Sequence, residues 1–184
     1  MLKRYKQLLA AGVIATAMLG TAGCSSTQKT SSPMSAEVDL IQEVKTAASQ
    51  LMAGTKGLDA DAPVLVATFA NIDDLQQSST FGRTLSEQFT SALSNQELMV
   101  TEVKMRDSLF VKERTGELIL SRKLQSLMLA HDAQAVLLGT YAIGGSNIYV
   151  NARIVRTNDN IILGSHDFSL PLNRDIKAML PRQR

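Results

Sequence analysis

The sequence has few of the residues on which many protein functions depend. It has no Trp, and aromatic residues make up only 4% of the chain, so base-stacking platforms and carbohydrate-binding clefts are not expected. A single Cys excludes an internal disulfide framework and a Cys-cluster metal site. Two His residues, His131 and His166, are too few for a histidine-based metal centre. Neither a metal nor a cofactor is therefore expected.

The bulk composition is that of a folded protein. Hydrophobic residues account for 45% of the 184 residues and charged residues for 20%, with a formal net charge of +2. A chain of this length can bury a sizeable core in one domain. The apolar content and low net charge exclude intrinsic disorder of the whole chain.

Residues 1–23 have the pattern of a lipoprotein signal peptide. A basic start is followed by an apolar run over 8–19, which is too short to span a bilayer permanently. Small residues then precede Cys24, as in a bacterial lipobox, although Thr21 stands where lipoboxes prefer Leu or Val. Ordinary secretory cleavage that leaves a free thiol is the alternative. Because the sole Cys lies at the end of the apolar run, we predict that Cys24 is lipidated.

Removal of this segment changes the charge of the chain. Three basic residues leave with it, so the 19 Lys and Arg fall to 16 against 17 Asp and Glu, a net charge of −1. No basic stripe then indicates binding to nucleic acid. Several acyl chains, such as palmitate, on Cys24 would anchor the protein stably. Ser25 rather than Asp follows the Cys, and the resemblance to Gram-negative lipoproteins implies an outer-membrane location facing the periplasm.

The predicted mature chain consists of a tether and one domain. Residues 24–35 are rich in Ser and Thr without periodicity, which is typical of a flexible linker. Fully extended, this tether would reach about 43 Å, and this short reach favours work close to the outer membrane. Residues 36–184 are predicted to form the domain.

Apolar residues at steps of three and four predict helices in four places. Ser35 is the expected N-cap of the first helix, with Glu37 in its first turn. The apolar stripes of the four helices lie within 40–51, 81–93, 124–128 and 176–180.

Apolar runs predict strands over 64–69, 98–103 and 135–141, and the first has the composition of a strand buried on both faces. Residues 148–154 alternate between apolar and polar, and a hairpin loop at 157–160 leads to a last strand over 161–168. Residues 104–120 fit either helix or strand. The order predicts an α/β fold, a single small domain with a mixed sheet. Early parallel strands are followed by an antiparallel meander, with helices packed on the sheet.

No set of residues predicts catalysis. His166 and Asp167 are neighbours in a predicted strand and therefore point to opposite faces. His131 is expected at a helix end, and the glycine-rich stretch 139–145 lacks the Lys-Ser/Thr ending of a phosphate loop. Two acidic pairs are expected to be solvated in loops: Asp59 with Asp61, and Asp73 with Asp74.

Five segments carry a family likeness: VLVATF at 64–69, FGRTLS at 81–86, GELILSR at 116–122, LGTY at 138–141 and YVNARIV at 149–155. Together they resemble the FlgO family of outer-membrane lipoproteins associated with the bacterial flagellum, over roughly residues 37–170. The same strands are similar to the N-terminal domain of TolB and to lipoprotein activators of penicillin-binding proteins. The resemblance implies a non-enzymatic envelope protein with a small α/β domain.

Two functions follow from this resemblance. The preferred one is a role in flagellar structure, assembly or motility through contacts with flagellar or envelope proteins, with a homo-oligomer as a further possibility. The alternative is a tethered regulator of a periplasmic cell-wall enzyme.

The partner-binding surface is sought on two elements. Polar residues of the alternating strand would lie opposite its core-facing residues, where Tyr and Arg are typical of binding hot spots. The loop over 71–80 leaves the carboxyl end of the first parallel strand, where α/β sheets usually bind ligands. The alternative for Tyr149 and Arg153 is that they only cover a solvated or helix-covered face of the sheet. The candidate interface residues are Tyr149, Asn151, Arg153, Asn71, Asp73 and Asp74.

Overall fold

The computed structural model describes residues 38–103, 110–112, 118–120 and 122–181. The signal segment, Cys24 and the tether lie outside these residues. The described residues form four helices: α1 Leu40–Gly54, α2 Thr80–Ser94, α3 Arg122–Ala130 and α4 Arg174–Met179. Within the same ranges there are eight strands: β1 Val64–Ala67, β2 Ala70–Asn71, β3 Val100–Val103, β4 Phe110–Lys112, β5 Leu118–Leu120, β6 Ala135–Ile143, β7 Asn147–Arg156 and β8 Ile162–Pro171.

One mixed sheet organises the domain. Its strand order is β3-β1-β6-β7-β8, and β2 adds to the side of β6. Strand β1 runs parallel to both β3 and β6, and β2 is also parallel to β6. Strands β6, β7 and β8 then form an antiparallel meander. The predicted fold class, early parallel strands followed by an antiparallel meander, is confirmed.

The sheet separates two apolar clusters. On the inner face, α1 and α2 pack against Val64 and Val66 of β1 and against the alternating buried residues of β7. On the outer face, α3 packs against Leu65 and Ala67 of β1 and against the start of β6. All four residues of β1 are therefore buried, as the apolar run predicts. Among the described residues, no helix is long and apolar enough to cross a membrane.

Side-chain caps fix where the helices begin. Ser79 accepts a hydrogen bond from the Gly82 amide at 2.9 Å and caps α2. Asn173 accepts from the Ile176 amide at 2.8 Å and caps α4. The buried stripe of α2 packs on the sheet, as its sequence periodicity predicts: Phe81, Leu85, Phe89, Ala92 and Leu93.

The predicted N-cap of the first helix is wrong. Helix α1 begins at Leu40, and the Asp39 carboxylate accepts from the Ile41 and Gln42 amides at 3.0 and 3.3 Å. Ser35 and Glu37 lie outside the described residues.

The ambiguous region over 104–120 contains two short strands where the structure describes it. Strands β4 and β5 pair antiparallel as a separate two-stranded sheet, whereas 104–109 and 113–117 lie outside the described residues. The strand predicted over 64–69 ends at Ala67, since Thr68 and Phe69 belong to no strand. Strand β2 follows them and pairs with β6, and it was not predicted.

Candidate functional site

The outer face of the antiparallel meander is covered at one end and open at the other. Helix α3 packs over Val136, Leu138 and Val155. Further along the strands, an open groove of about 500 Å³ lies on the same face. We call it the meander groove. It is lined by Ile72, Thr140, Tyr141, Ala142, Tyr149, Val150, Asn151, Asp167, Phe168 and Ser169.

Strand register places the outward-facing groove residues in two rows across the three strands. Tyr149 pairs with Ala142 on one side and with Ser169 on the other. In the next row, Asn151 pairs with Thr140 and with Asp167. Because side chains alternate along a strand, these residues share one face. The open face is thus a direct product of the period-two pattern in β7.

Within this face, polar and apolar side chains have distinct environments. Tyr149 is 58% exposed, and its ring passes close to Gly144 in the turn between β6 and β7. The Asn151 side-chain amide donates a hydrogen bond to the Asp167 carboxylate. Arg153 is exposed one row further on, between Leu138 and Ser165. Tyr149 and Asn151 therefore line the groove, and Arg153 lies next to it.

The loop after β2 contributes the other wall of the groove. The Ile72 amide donates to the Tyr141 carbonyl at 2.9 Å, and its side chain is 47% exposed beside the groove. Asn71 is 7% exposed, and its side-chain oxygen accepts from the Asp73 amide at 3.1 Å. Asn71 is therefore a turn residue inside the fold, whereas Asp73 and Asp74 are exposed.

Beneath the groove, a buried hydroxyl pair joins β6 to α2. The Tyr141 hydroxyl donates to Ser79 Oγ at 2.7 Å, and Ser79 is the residue that caps α2. The Tyr141 ring also meets Phe81 edge to face at 5.1 Å between centroids. Burial raises the pKa of Tyr141, and the hydrogen bond with Ser79 opposes this in part. The groove floor is thereby fixed to the helix layer.

The His and Asp residues considered as catalytic candidates lie in different parts of the fold. His166 stacks on Phe168 at 6.2 Å between centroids, while Asp167 faces the groove on the opposite side of β8. His131 is exposed directly after α3. The Asp59 carboxylate accepts from the Asp61 amide at 3.0 Å, as in a polar turn. Within the described ranges, no group of three or more His, Cys, Asp or Glu could hold a metal ion.

Of the residues that line the groove, the sequence prediction named Tyr149 and Asn151. Among those it missed, Ile72 and Asp167 each had a signal. Ile72 is an apolar residue in an otherwise polar loop. Asp167 lies opposite Asn151 in the β7–β8 hairpin. The position of the turn over 157–160 sets this register, so the sequence could have placed Asp167 on the same face as Asn151.

Comparisons with known proteins give a family and a fold. The model of the family described as FlgO protein matches residues 45–175. The LpoB C-terminal domain from Salmonella enterica is 16% identical and has a TM-score of 0.52, with 69% of this chain and 94% of that chain covered. The LpoB C-terminal domain from Escherichia coli is 16% identical with a TM-score of 0.51, over 72% and 98% of the two chains. At this identity the structural likeness concerns the fold. No curated protein matches the chain in sequence.

Proposed function

Because the chain belongs to the FlgO family, we propose that it is an outer-membrane lipoprotein that supports flagellar structure, assembly or motility. It acts through protein–protein contacts and not as an enzyme. The observation that supports this is the family match, which runs from within α1 to within α4. The family resemblance implies a flagellum-associated envelope lipoprotein with its lipid on Cys24.

The meander groove is the surface that fits a contact function best. It exposes an aromatic ring and an aliphatic side chain, Tyr149 and Ile72, above a floor bonded to the helix layer. Exposed apolar side chains on a rigid surface are typical of protein-binding sites. The polar groups of the groove, Asn151 and Asp167, form a hydrogen bond with each other. In this proposal they orient a bound protein and do not form a reaction centre.

Deletion of the gene tests the flagellar role. We expect reduced swimming at unchanged growth rate and cell shape, because a contact protein of the flagellum is dispensable for the cell wall. Complementation with the wild-type gene should restore swimming. Wild-type swimming combined with sensitivity to cell-wall antibiotics would contradict the flagellar role and support the alternative, a tethered regulator of a cell-wall enzyme.

A Cys24→Ser variant tests the lipid anchor. Serine lacks the thiol that is acylated, so we expect the variant to leave the outer-membrane fraction and to fail to restore swimming. The domain should still fold, because the described core begins at Val38. Cys24→Ser protein that fractionates with the outer membrane and restores swimming would show that the anchor is wrongly assigned.

A further inference from the structure

We propose that the meander groove binds a basic segment of its protein partner, in which a Lys or Arg side chain lies next to an aliphatic one. This inference rests on the proposed function and specifies the chemistry of the contact. The apolar walls of the groove and its negative charge support this partner chemistry. They also make a second copy of the chain or an anionic membrane a less favourable occupant.

The walls of the groove provide an apolar binding surface. Ile72 and Tyr149 lie on opposite sides of β6, since the Ile72 amide bonds to Tyr141 on the β2 side and Tyr149 pairs with Ala142 on the β7 side. Both side chains are about half exposed, at 47% and 58%. An aliphatic side chain placed between them would bury apolar surface on both flanks, which is the main source of contact free energy.

The charge of the groove has one sign. Among the described residues that line it, Asp167 is the only charged one. Its carboxylate accepts from the Asn151 amide, which holds it in place without neutralising its negative charge. Asp73 and Asp74 follow Ile72 along the loop and are exposed. The basic residue on this face, Arg153, lies one row away, outside the lining.

A cationic side chain is the complement of this arrangement. A Lys or Arg stem can lie on the Tyr149 ring while its charged end reaches Asp167, because such side chains keep an apolar stem against apolar surface. A cation over an aromatic ring adds a further attraction. Complementary charge of this kind speeds encounter and sets the orientation of the partner.

Two other occupants fit the groove less well. A second copy in a two-fold contact centred on Asp167 would place this residue near its own equivalent, and like charges across an interface are unfavourable. An anionic membrane surface would be repelled by Asp167, Asp73 and Asp74 for the same reason.

The test measures which peptides the anchored full-length mature chain binds. The probe is a position-scanning library of synthetic hexapeptides, with the protein held in lipid nanodiscs. We expect selection of Lys or Arg beside Leu, Ile or Val, and binding that weakens as salt concentration rises. Selection of acidic peptides, of peptides without a basic residue, or of none would overturn the inference. Binding that is independent of salt would also overturn it.

Charge variants supply the matched control. Asp167→Asn removes the charge but keeps an oxygen that can accept from Asn151, and we expect about tenfold weaker binding of the selected basic peptides. Asp132→Asn makes the same charge change just beyond α3, at a left-handed position with φ of 47° that Asn tolerates, and should bind as the wild type does. Equal binding by both variants would overturn the inference.

Swimming assays separate this inference from the proposed function. If Asp167→Asn restores swimming to a deletion strain as well as the wild-type gene does, the basic-partner inference is wrong and the flagellar role stands. If the deletion strain swims normally, the flagellar role is wrong whatever the peptides show. If Asp167→Asn unfolds at the same temperature as the wild type, misfolding of the variant is excluded. The salt dependence of wild-type binding tests the inference without any variant.

Discussion

At the scale of single residues, one tightly constrained position is where β6 passes the Phe69 ring. A Cβ atom at Gly139 would overlap that ring, which is itself stacked on Phe89 at 5.1 Å between centroids. The ring is buried and cannot swing into solvent. Glycine is therefore required here by the close approach of an aromatic side chain, and not by its backbone angles.

We expect Gly139→Ala to lower the free energy of unfolding by about 1–3 kcal/mol, the usual cost of overpacking a core. Chemical denaturation followed by circular dichroism would measure the change. Gly145→Ala is the matched control, because a Cβ at Gly145 meets nothing within 4 Å. Equal stability of the two variants would mean that the Phe69 ring has room to shift.

The buried Tyr141 hydroxyl makes the free energy of unfolding fall at alkaline pH. Burial raises the pKa of Tyr141 above its ordinary value of 10.0. Near that pH the unfolded chain loses the proton while the folded chain still holds it. The stability that the neutral Tyr141 hydroxyl contributes to the folded domain is therefore fully present below pH 10.0. It is lost as the pH rises through the folded-state pKa.

Tyr141→Phe should remove this alkaline loss. At neutral pH we expect the variant to be less stable by about 1 kcal/mol, because the hydrogen bond to Ser79 is absent. Above pH 10.0 its stability should fall less steeply than that of the wild type. Denaturant midpoints measured across this range would show it, with Tyr149→Phe as the control because Tyr149 is exposed. Parallel pH profiles for Tyr141→Phe and wild type would contradict the assignment.

Which single residues form the site could be predicted only in part. Tyr149, Asn151 and Arg153 share the outer face, as expected, because alternation depends on the strand alone. Asn71 was expected on the surface but is buried, since pairing of β2 with β6 depends on a contact about 70 residues away in the chain. Local sequence does not encode a contact of that kind.

At the scale of elements, helix periodicity located the helices better than their ends. The buried stripe of α2 is the predicted one, whereas the N-terminal end of α1 is Leu40 with Asp39 as its cap. Ser and Asp are both good N-caps, so composition could not choose between positions 35 and 39. The choice depends on where the amides of the first turn lie.

We expect Asp39→Ala to destabilise the domain by about 0.5–2 kcal/mol, because the Ile41 and Gln42 amides lose their acceptor. Asp39→Asn keeps a side-chain oxygen and should retain most of the stability. Thermal unfolding of the three proteins would measure the difference. A variant series in which Ala and Asn are equally tolerated would show that α1 does not depend on this cap.

At the scale of the whole molecule, α3 covers only part of the outer face of the sheet. On the inner face, the apolar cluster that holds the buried residues of α1, α2 and α4 extends along the meander to Ile148 and Leu170. On the outer face, the apolar cluster under α3 ends at Leu138 and Val155, and the groove begins at the next row. The fold class followed from the order of the patterns, but the extent of α3 coverage depends on packing between distant elements.

The position of each strand in the sheet also determines how its amides meet water. Strand β1 is paired on both edges, with β3 and β6, and buried on both faces. Strand β8 is paired with β7 and ends the sheet order among the described strands. In deuterated buffer, amides of β1 should exchange only when the whole domain unfolds, whereas many in β8 should exchange through local opening. Equal exchange rates in Val64–Ala67 and Ile162–Pro171, measured by mass spectrometry, would contradict this strand order.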